Sequence, residues 1–256
     1  MPQSVTVGQD ARSIAVLARE GKGPPVVWLG GFKSDMRATK ATALDEWAEA
    51  NSRAFVRFDY SGHGESGGAF EEGTISRWLE DALAVMERFV TERPILVGSS
   101  MGGWISLLAV RHLMEKRPDL APAGMVLIAP AVDMTERLMW GRFPKDLRRS
   151  VQETGVYHRP SAYSDDPYPI TLNLIEDGRR HLLLDRPIQT GCPVHILQGM
   201  EDPDVPWSHA LALVEHLPGD SVSVTFIKDG DHRLSRPEDL ERLIAAVEAI
   251  GQKRGR

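Results

Sequence analysis

The chain has 256 residues, 42% hydrophobic, 26% charged and 7% aromatic, an ordinary globular composition that excludes collagen-like, coiled-coil and disordered classes. Thirty basic against 36 acidic residues give a formal charge of −6, which argues against a general polyanion-binding surface and against nucleic acid as a partner. The single cysteine, Cys192, can form neither an internal disulfide nor a multi-thiolate metal site, so a reducing cytosol suits the chain.

Short β-branched runs alternate with longer stretches of helical period, the pattern of a mainly parallel sheet covered by helices. In chain order the predicted strands are SVTV, RSIAVLAR, PPVVWLG, RAFVRF, PILVG, GMVLIAP, PVHILQG and SVTFI. Helices are predicted near 38–50, 74–90, 101–116, 207–217 and 237–250, where Leu, Ala and Trp recur three and four apart. No helix separates the first two strands, which predicts an antiparallel hairpin at the sheet edge. The first strand begins almost at the N-terminus, without a basic n-region or apolar core ahead of it, so the expected setting is cytoplasmic. No apolar run approaches the roughly 18 residues of a membrane span. One domain covering 1–256 is expected, interrupted by an insertion at about 131–187 that breaks the rhythm with prolines and helical fragments. Segments above the carboxyl ends of parallel strands commonly cover the ligand crevice, so the insertion reads as a lid, or alternatively as a second structural layer.

Chemistry concentrates where the strand PILVG runs through Gly98-Ser99-Ser100-Met101-Gly102 directly into a helix. Flanking glycines allow the sharp strand-to-helix turn that exposes a serine hydroxyl, and the helix N-terminus favours negative charge beside it. Chance alone gives the GxSxG pattern about 0.13 times in such a chain, and it occurs twice, so context has to decide. Ser66, in Gly64-Glu65-Ser66-Gly67-Gly68, is followed by the polar run GGAFEEG and reads as a structural loop. Ser100 is the expected nucleophile.

A serine needs a base to take its proton and an acid to orient that base. His232 follows the last predicted strand in a short glycine turn, whereas His63, His112, His158, His181, His195, His209 and His216 lack an ordered partner in sequence. Asp202, after PVHILQG, is the expected acid; Glu201, Asp204 and Asp133 are the alternatives. Two backbone N–H groups are needed for the tetrahedral oxyanion, here those of Met101 and Phe32, the latter in the turn LGGFKSDM. There is no HExxH, no phosphate loop and no cysteine cluster, so no metal and no cofactor is expected. The pair Gly62-His63-Gly64 lacks the third glycine of a dinucleotide site.

These residues resemble the serine α/β-hydrolase superfamily over essentially the whole chain. More narrowly, GGFKSDM, RAFVRFDYSGHGESGG, GSSMGGWISLL, QGMEDPDVPW and DGDHRLS resemble the palmitoyl-protein thioesterase group whose mammalian mitochondrial members also cleave acyl glucuronides. The resemblance implies an α/β-hydrolase fold: a mostly parallel eight-stranded sheet with helices on both faces. It also implies hydrolysis of S-acyl or O-acyl bonds, with nucleophile, acid and base at Ser100, Asp202 and His232.

The expected partner is then a small-molecule or protein-linked acyl ester or thioester. Met134, Leu138, Met139, Trp140 and Phe143 of the insertion form an apolar set suited to an acyl chain, or alternatively a helix packed on the sheet. Arg137 and Arg142 could meet a carboxylate or serve as solvated surface charge. A general carboxylesterase, a carbon–carbon bond hydrolase on the same triad, and a non-catalytic hydrolase-like binding protein are the competing readings. Nothing in the pattern demands a particular oligomer.

Overall fold

The structure, a computed structural model, describes residues 2–160 and 167–252. Eight strands form one sheet: β1 (Gln3–Val7), β2 (Arg12–Arg19), β3 (Lys22–Leu29), β4 (Arg53–Phe58), β5 (Ile95–Ser99), β6 (Gly124–Ile128), β9 (Val194–Gly199) and β10 (Val222–Ile227). Their spatial order is β1-β2-β4-β3-β5-β6-β9-β10. β1 pairs antiparallel with β2 and β2 with β4, and every later pair is parallel. The predicted edge hairpin is present, and each predicted strand of the sheet has its counterpart.

Strand side chains alternate between two cores, as the two-residue period of a doubly covered sheet requires. Val27, Leu29, Leu96, Met125 and Leu127 face α2 (Ile75–Phe89) and α3 (Met101–Lys116), whereas Val26, Trp28, Ile95, Val97, Val126 and Ile128 face α1 (Thr39–Ala50) and α7 (Pro237–Gln252). Two of the largest fully buried side chains, Trp78 of α2 and Trp104 of α3, fill the first core. Helix α6 (Trp207–Glu215) adds Ala210 and Leu213 to it.

After β3 the chain steps to β4 on one side and returns to β5 on the other. The crevice outside the carboxyl ends of β3 and β5 is therefore a topological switch point, the usual ligand position in such sheets.

Between β6 and β9 the chain leaves the main sheet. It forms a π-helical turn at Met134–Met139, α4 (Lys145–Thr154), a small antiparallel pair β7 (Val156–Arg159) and β8 (Tyr168–Thr171), and α5 (Leu172–Gly178). The β7–β8 pair is not among the predicted strands; four-residue strands are too short for an alternating pattern to register. Residues 161–166 of the insertion lie outside the described residues. At its base, buried Asp133 accepts the backbone N–H groups of Leu183 and Leu184 at 2.8 and 2.9 Å.

Two glycines let β5 and α3 pack. A Cβ on Gly98 would lie 2.5 Å from the Gly102 carbonyl oxygen, and one on Gly102 only 2.0 Å from that of Leu29. Gly102→Ala is expected to lower stability by about 1–3 kcal/mol through overpacking. Gly219→Ala, where a Cβ meets nothing within 4 Å, is expected to change little. Urea unfolding of both variants beside the parent checks this.

Candidate active site

Ser100 sits between the end of β5 and the first residue of α3 with φ 53° and ψ −116°. Such a conformation is costly for an L residue and persists only where its surroundings dictate it. Here the Ser100 N–H donates to the Ile128 carbonyl at 2.8 Å, and its own carbonyl accepts from Gly103 and Ala131 at 2.9 and 3.1 Å. The hydroxyl caps no helix N–H. Instead Oγ lies 3.1 Å from Nε2 of His232, whose Nδ1 lies 2.7 Å from Oδ2 of Asp202.

Asp202 is held as well as holding. Its Oδ1 accepts the backbone N–H groups of Asp204 and Val205, both at 2.8 Å, and its side chain has no exposure to solvent. Fully buried Gln198 of β9 donates from Nε2 to the carbonyls of Gly199 and Val205, bracing the same loop. Since Asp202 can only accept, the proton on its bond to His232 belongs to Nδ1, which leaves Nε2 free to accept from the serine.

The alternative acids are engaged otherwise. Asp133 is committed to Leu183 and Leu184, Glu201 is exposed, and Asp204 pairs with Arg159 at 3.1 Å. Among the described residues, Asp202, Asp204 and His232 group ligand-type atoms within 4.8 Å of one another. The bonds within the Asp202–His232 pair and to the loop already occupy both Asp202 oxygens.

Beside Ser100 runs the turn after β3. A Cβ on Gly31 would lie 3.4 Å from the Ser100 Cβ, so this backbone is in contact with the serine. Lys33 within the turn has φ 55°. Its N–H donates to Nε2 of His63 at 3.0 Å, while Nδ1 of His63 faces the Ser61 carbonyl at 3.2 Å. Burial pushes the His63 imidazole down to about 4, so the ring is neutral. The turn's far end is tied by Asp59, which accepts from Met36 at 2.6 Å and from Glu65 at 2.7 Å; burial raises its pKa. The Ser66 hydroxyl donates to the Asp59 carbonyl at 2.6 Å and accepts the Ala15 N–H at 2.8 Å, a structural loop.

A cavity of about 690 Å³ opens over Ser100 and His232. The insertion contributes Met134, Leu138, Met139, Tyr168 and Ile170 to its wall, and the turn after β3 contributes Gly31, Phe32 and Lys33. Trp140 and Phe143, expected there, do not line it. The π-helical turn ends at Met139, and the chain continues as a 3₁₀ turn over Trp140–Arg142. The Trp140 ring packs under Arg148 and Arg179, and the Phe143 ring lies 5.5 Å from that of Tyr157. Arg137 and Arg142 do not line it either: they donate to the carbonyls of Leu184 and Asp204. The cations that do are Lys33, Lys40, Arg159 and Arg233. Burial and the nearby Arg233 pull the Lys40 ammonium down to about 8. Lys40 donates to the Arg233 carbonyl beside His232.

Sequence reasoning left His63 without a partner and passed over Asp59, Gln198, Lys40 and Arg159. The usable signal was positional: Asp59 to Ser66 directly follows the carboxyl end of β4, the edge where functional loops of a parallel sheet gather. Cys192 is buried, and its thiol is pushed up to about 11 by that burial.

A family profile described as alpha/beta hydrolase matches residues 23–245. The chain belongs to the alpha/beta hydrolase family. Among family members, it is 33% identical to the human mitochondrial palmitoyl-protein thioesterase ABHD10 across 95% of this chain and 78% of that protein. A crystal structure of a protein assigned as a hydrolase from Agrobacterium vitis S4 superimposes with a TM-score of 0.95 at 51% identity, covering 98% of this chain and 99% of that one. Mouse alpha/beta hydrolase domain-containing protein 10 superimposes with a TM-score of 0.89 at 30% identity over the full length of both chains. This chain is therefore a hydrolase of that family. Among the described residues, no helix is long and apolar enough to cross a membrane.

The neutral state of His63 has a consequence for stability. Its folded pKa lies below the ordinary imidazole value of 6.5, so between about pH 6.5 and 4 the unfolded chain binds the extra proton. Its contribution, about 3 kcal/mol, is complete above pH 6.5 and is lost as pH falls toward 4. Denaturant unfolding over pH 4–7 is expected to show this fall in the parent and a flatter profile in His63→Phe.

Proposed function

We propose that the protein is a serine hydrolase that cleaves long-chain acyl thioesters and esters, small or protein-linked, through an acyl-enzyme on Ser100. The observation that carries this reading is the continuous chain Asp202–His232–Ser100, with distances of 2.7 and 3.1 Å, at the floor of the cavity. Similarity to proteins named palmitoyl-protein thioesterase directs the choice of acyl group.

In this mechanism His232 Nε2 removes the Ser100 proton as Oγ attacks the carbonyl carbon. Asp202 keeps the ring oriented and stabilises the imidazolium. The tetrahedral oxyanion is met by the N–H groups of Phe32 and Met101. Collapse breaks the bond to the thiol or alcohol, which leaves with the proton from His232. A water, deprotonated by the same Nε2, then attacks the acyl carbonyl; collapse breaks the bond to Oγ, which takes the proton back from His232, and the fatty acid is released. Every step uses groups of the chain and water. The insertion 131–187 serves as the lid of a single-domain enzyme, and Met134, Leu138 and Met139 receive the acyl chain.

Intact-protein mass spectrometry after a fluorophosphonate is expected to show one adduct in the parent and in Asp133→Asn, and none in Ser100→Ala. Turnover of a palmitoyl thioester is expected to fall roughly 10⁶-fold in Ser100→Ala and roughly 10⁴-fold in Asp202→Asn. Turnover confined to short esters would instead make the protein a general carboxylesterase. An unlabelled parent would make it a binding protein on a hydrolase fold.

A further inference from the structure

Buried His63 hydrogen-bonds from both ring nitrogens. Nδ1 faces the Ser61 carbonyl, which can only accept, so the ring proton resides there and Nε2 carries the lone pair that receives the Lys33 N–H. Burial keeps the ring in this neutral form. An imidazolium could not accept that bond.

The bond fixes a particular peptide plane. Lys33 N belongs to the peptide unit on the C-terminal side of Phe32, and Lys33 itself holds φ 55°, a strained value for a non-glycine residue. Gly31, on the other side of Phe32, lies against Ser100. The Phe32 N–H is therefore presented between a contact with the serine and a plane pinned by His63. The Ser34 N–H also closes the turn on the Gly31 carbonyl at 3.1 Å, but that bond is compatible with either orientation of the central Phe32–Lys33 peptide. The Lys33 N–H bond to Nε2 selects the orientation with positive φ at Lys33, and without that acceptor the plane beside Phe32 can turn over. Asp59 anchors the turn only at Met36, too far along to hold that plane.

We propose that His63 is a positioning residue of the oxyanion site: by accepting the Lys33 N–H it holds the turn in the strained form that aims the Phe32 N–H at the tetrahedral intermediate. This rests on the reading above that Phe32 donates to the oxyanion. His63 reaches the reaction only through the turn, and it does not line the cavity.

The competing role for His63 is packing alone. Its ring centroid lies 5.0 Å from that of Phe70, 5.3 Å from Trp78 and 5.8 Å from Tyr60, and Phe70 and Trp78 also contact Phe32. Two variants separate the roles. His63→Phe keeps an aromatic ring and removes the acceptor, while His63→Gln loses the ring and keeps an acceptor near the Nε2 position.

Removing an oxyanion donor outright typically costs 10²- to 10³-fold in kcat. Misaiming one is expected to lower kcat of His63→Phe roughly 10- to 100-fold, with KM on a p-nitrophenyl ester within about threefold of the parent. Affinity for an aryl boronic acid, whose tetrahedral serine adduct places an oxygen in the same site, is expected to fall in parallel. His63→Gln is expected to recover most of both. Parent kcat in His63→Phe, or an equal loss in both variants, overturns the proposal in favour of packing. Should His63→Phe fail to fold, His63→Leu, which also lacks an acceptor, carries the same contrast with His63→Gln. Fluorophosphonate labelling of the parent is read alongside: a labelled parent with unaffected His63→Phe sinks this inference alone, and an unlabelled parent sinks the hydrolase mechanism with it.

Discussion

Ser100 adopts φ 53° and ψ −116°, a combination that costs an L residue on the order of 1–3 kcal/mol. The surrounding structure has to make it the least unfavourable arrangement. Register does part of this, because the parallel pairing of β5 with β6 brings the Ile128 carbonyl to the Ser100 N–H. Close packing does the rest: the absence of a Cβ at Gly98 and Gly102 brings β5, α3 and the end of β3 within backbone contact. That contact in turn delivers the Gly31 backbone to the serine. The strained turn at Ser100, the adjoining turn after β3 and the cavity above them are consequences of one close approach.

Buried carboxylates recur around this centre, and backbone N–H groups satisfy each of them. Asp202 takes two from its own loop, Asp59 takes those of Met36 and Glu65, and Asp133 takes those of Leu183 and Leu184. Asp81 accepts both the N–H and the hydroxyl of Ser61 and pairs with buried Arg12. An unpaired buried charge is expensive, so each acid fixes the loop that satisfies it. These loops follow the carboxyl ends of β3, β4, β6 and β9, so the acids act as clamps along one rim of the sheet. Asp202 differs in spending one oxygen on an imidazole.

The sheet was legible in the sequence because fully buried strands leave dense β-branched runs, and the helices because their apolar residues repeat at helical spacing. Ser100, Asp202 and His232, which the structure brings within hydrogen-bonding distance of one another, could be singled out because each lies at the end of such a strand or in the loop that follows it. The wall of the cavity was not. Met134, Leu138 and Met139 of the π-helical turn reach the cavity, whereas the chain beyond changes to a 3₁₀ turn and Trp140 and Phe143 pack against Arg148, Arg179 and Tyr157, a change of helix type that a run of apolar residues does not disclose. His63 escaped notice because its partners are backbone groups 30 and two residues away, and backbone groups carry no side-chain signature. Arg159 and Tyr168 reach the cavity from the small β7–β8 pair, whose strands are too short to announce themselves.

Asp133 binds the beginning of the insertion to its end, holding Leu183 and Leu184 next to the residue where the chain leaves β6. About 50 residues are thereby closed into a loop at their own root, and the entropy of that closure grows only slowly with loop length. The segment between the two anchors is a cassette. Its length and lining can vary while Asp133 and the β6–β9 pairing hold its root, provided that the bonds of Arg142 and Arg159 to Asp204, in the loop carrying Asp202, are kept. Natural variation there would retune which molecules fit while the hydrogen-bonded centre beneath stayed constant, and a designer seeking new selectivity would graft at Asp133 and Leu183.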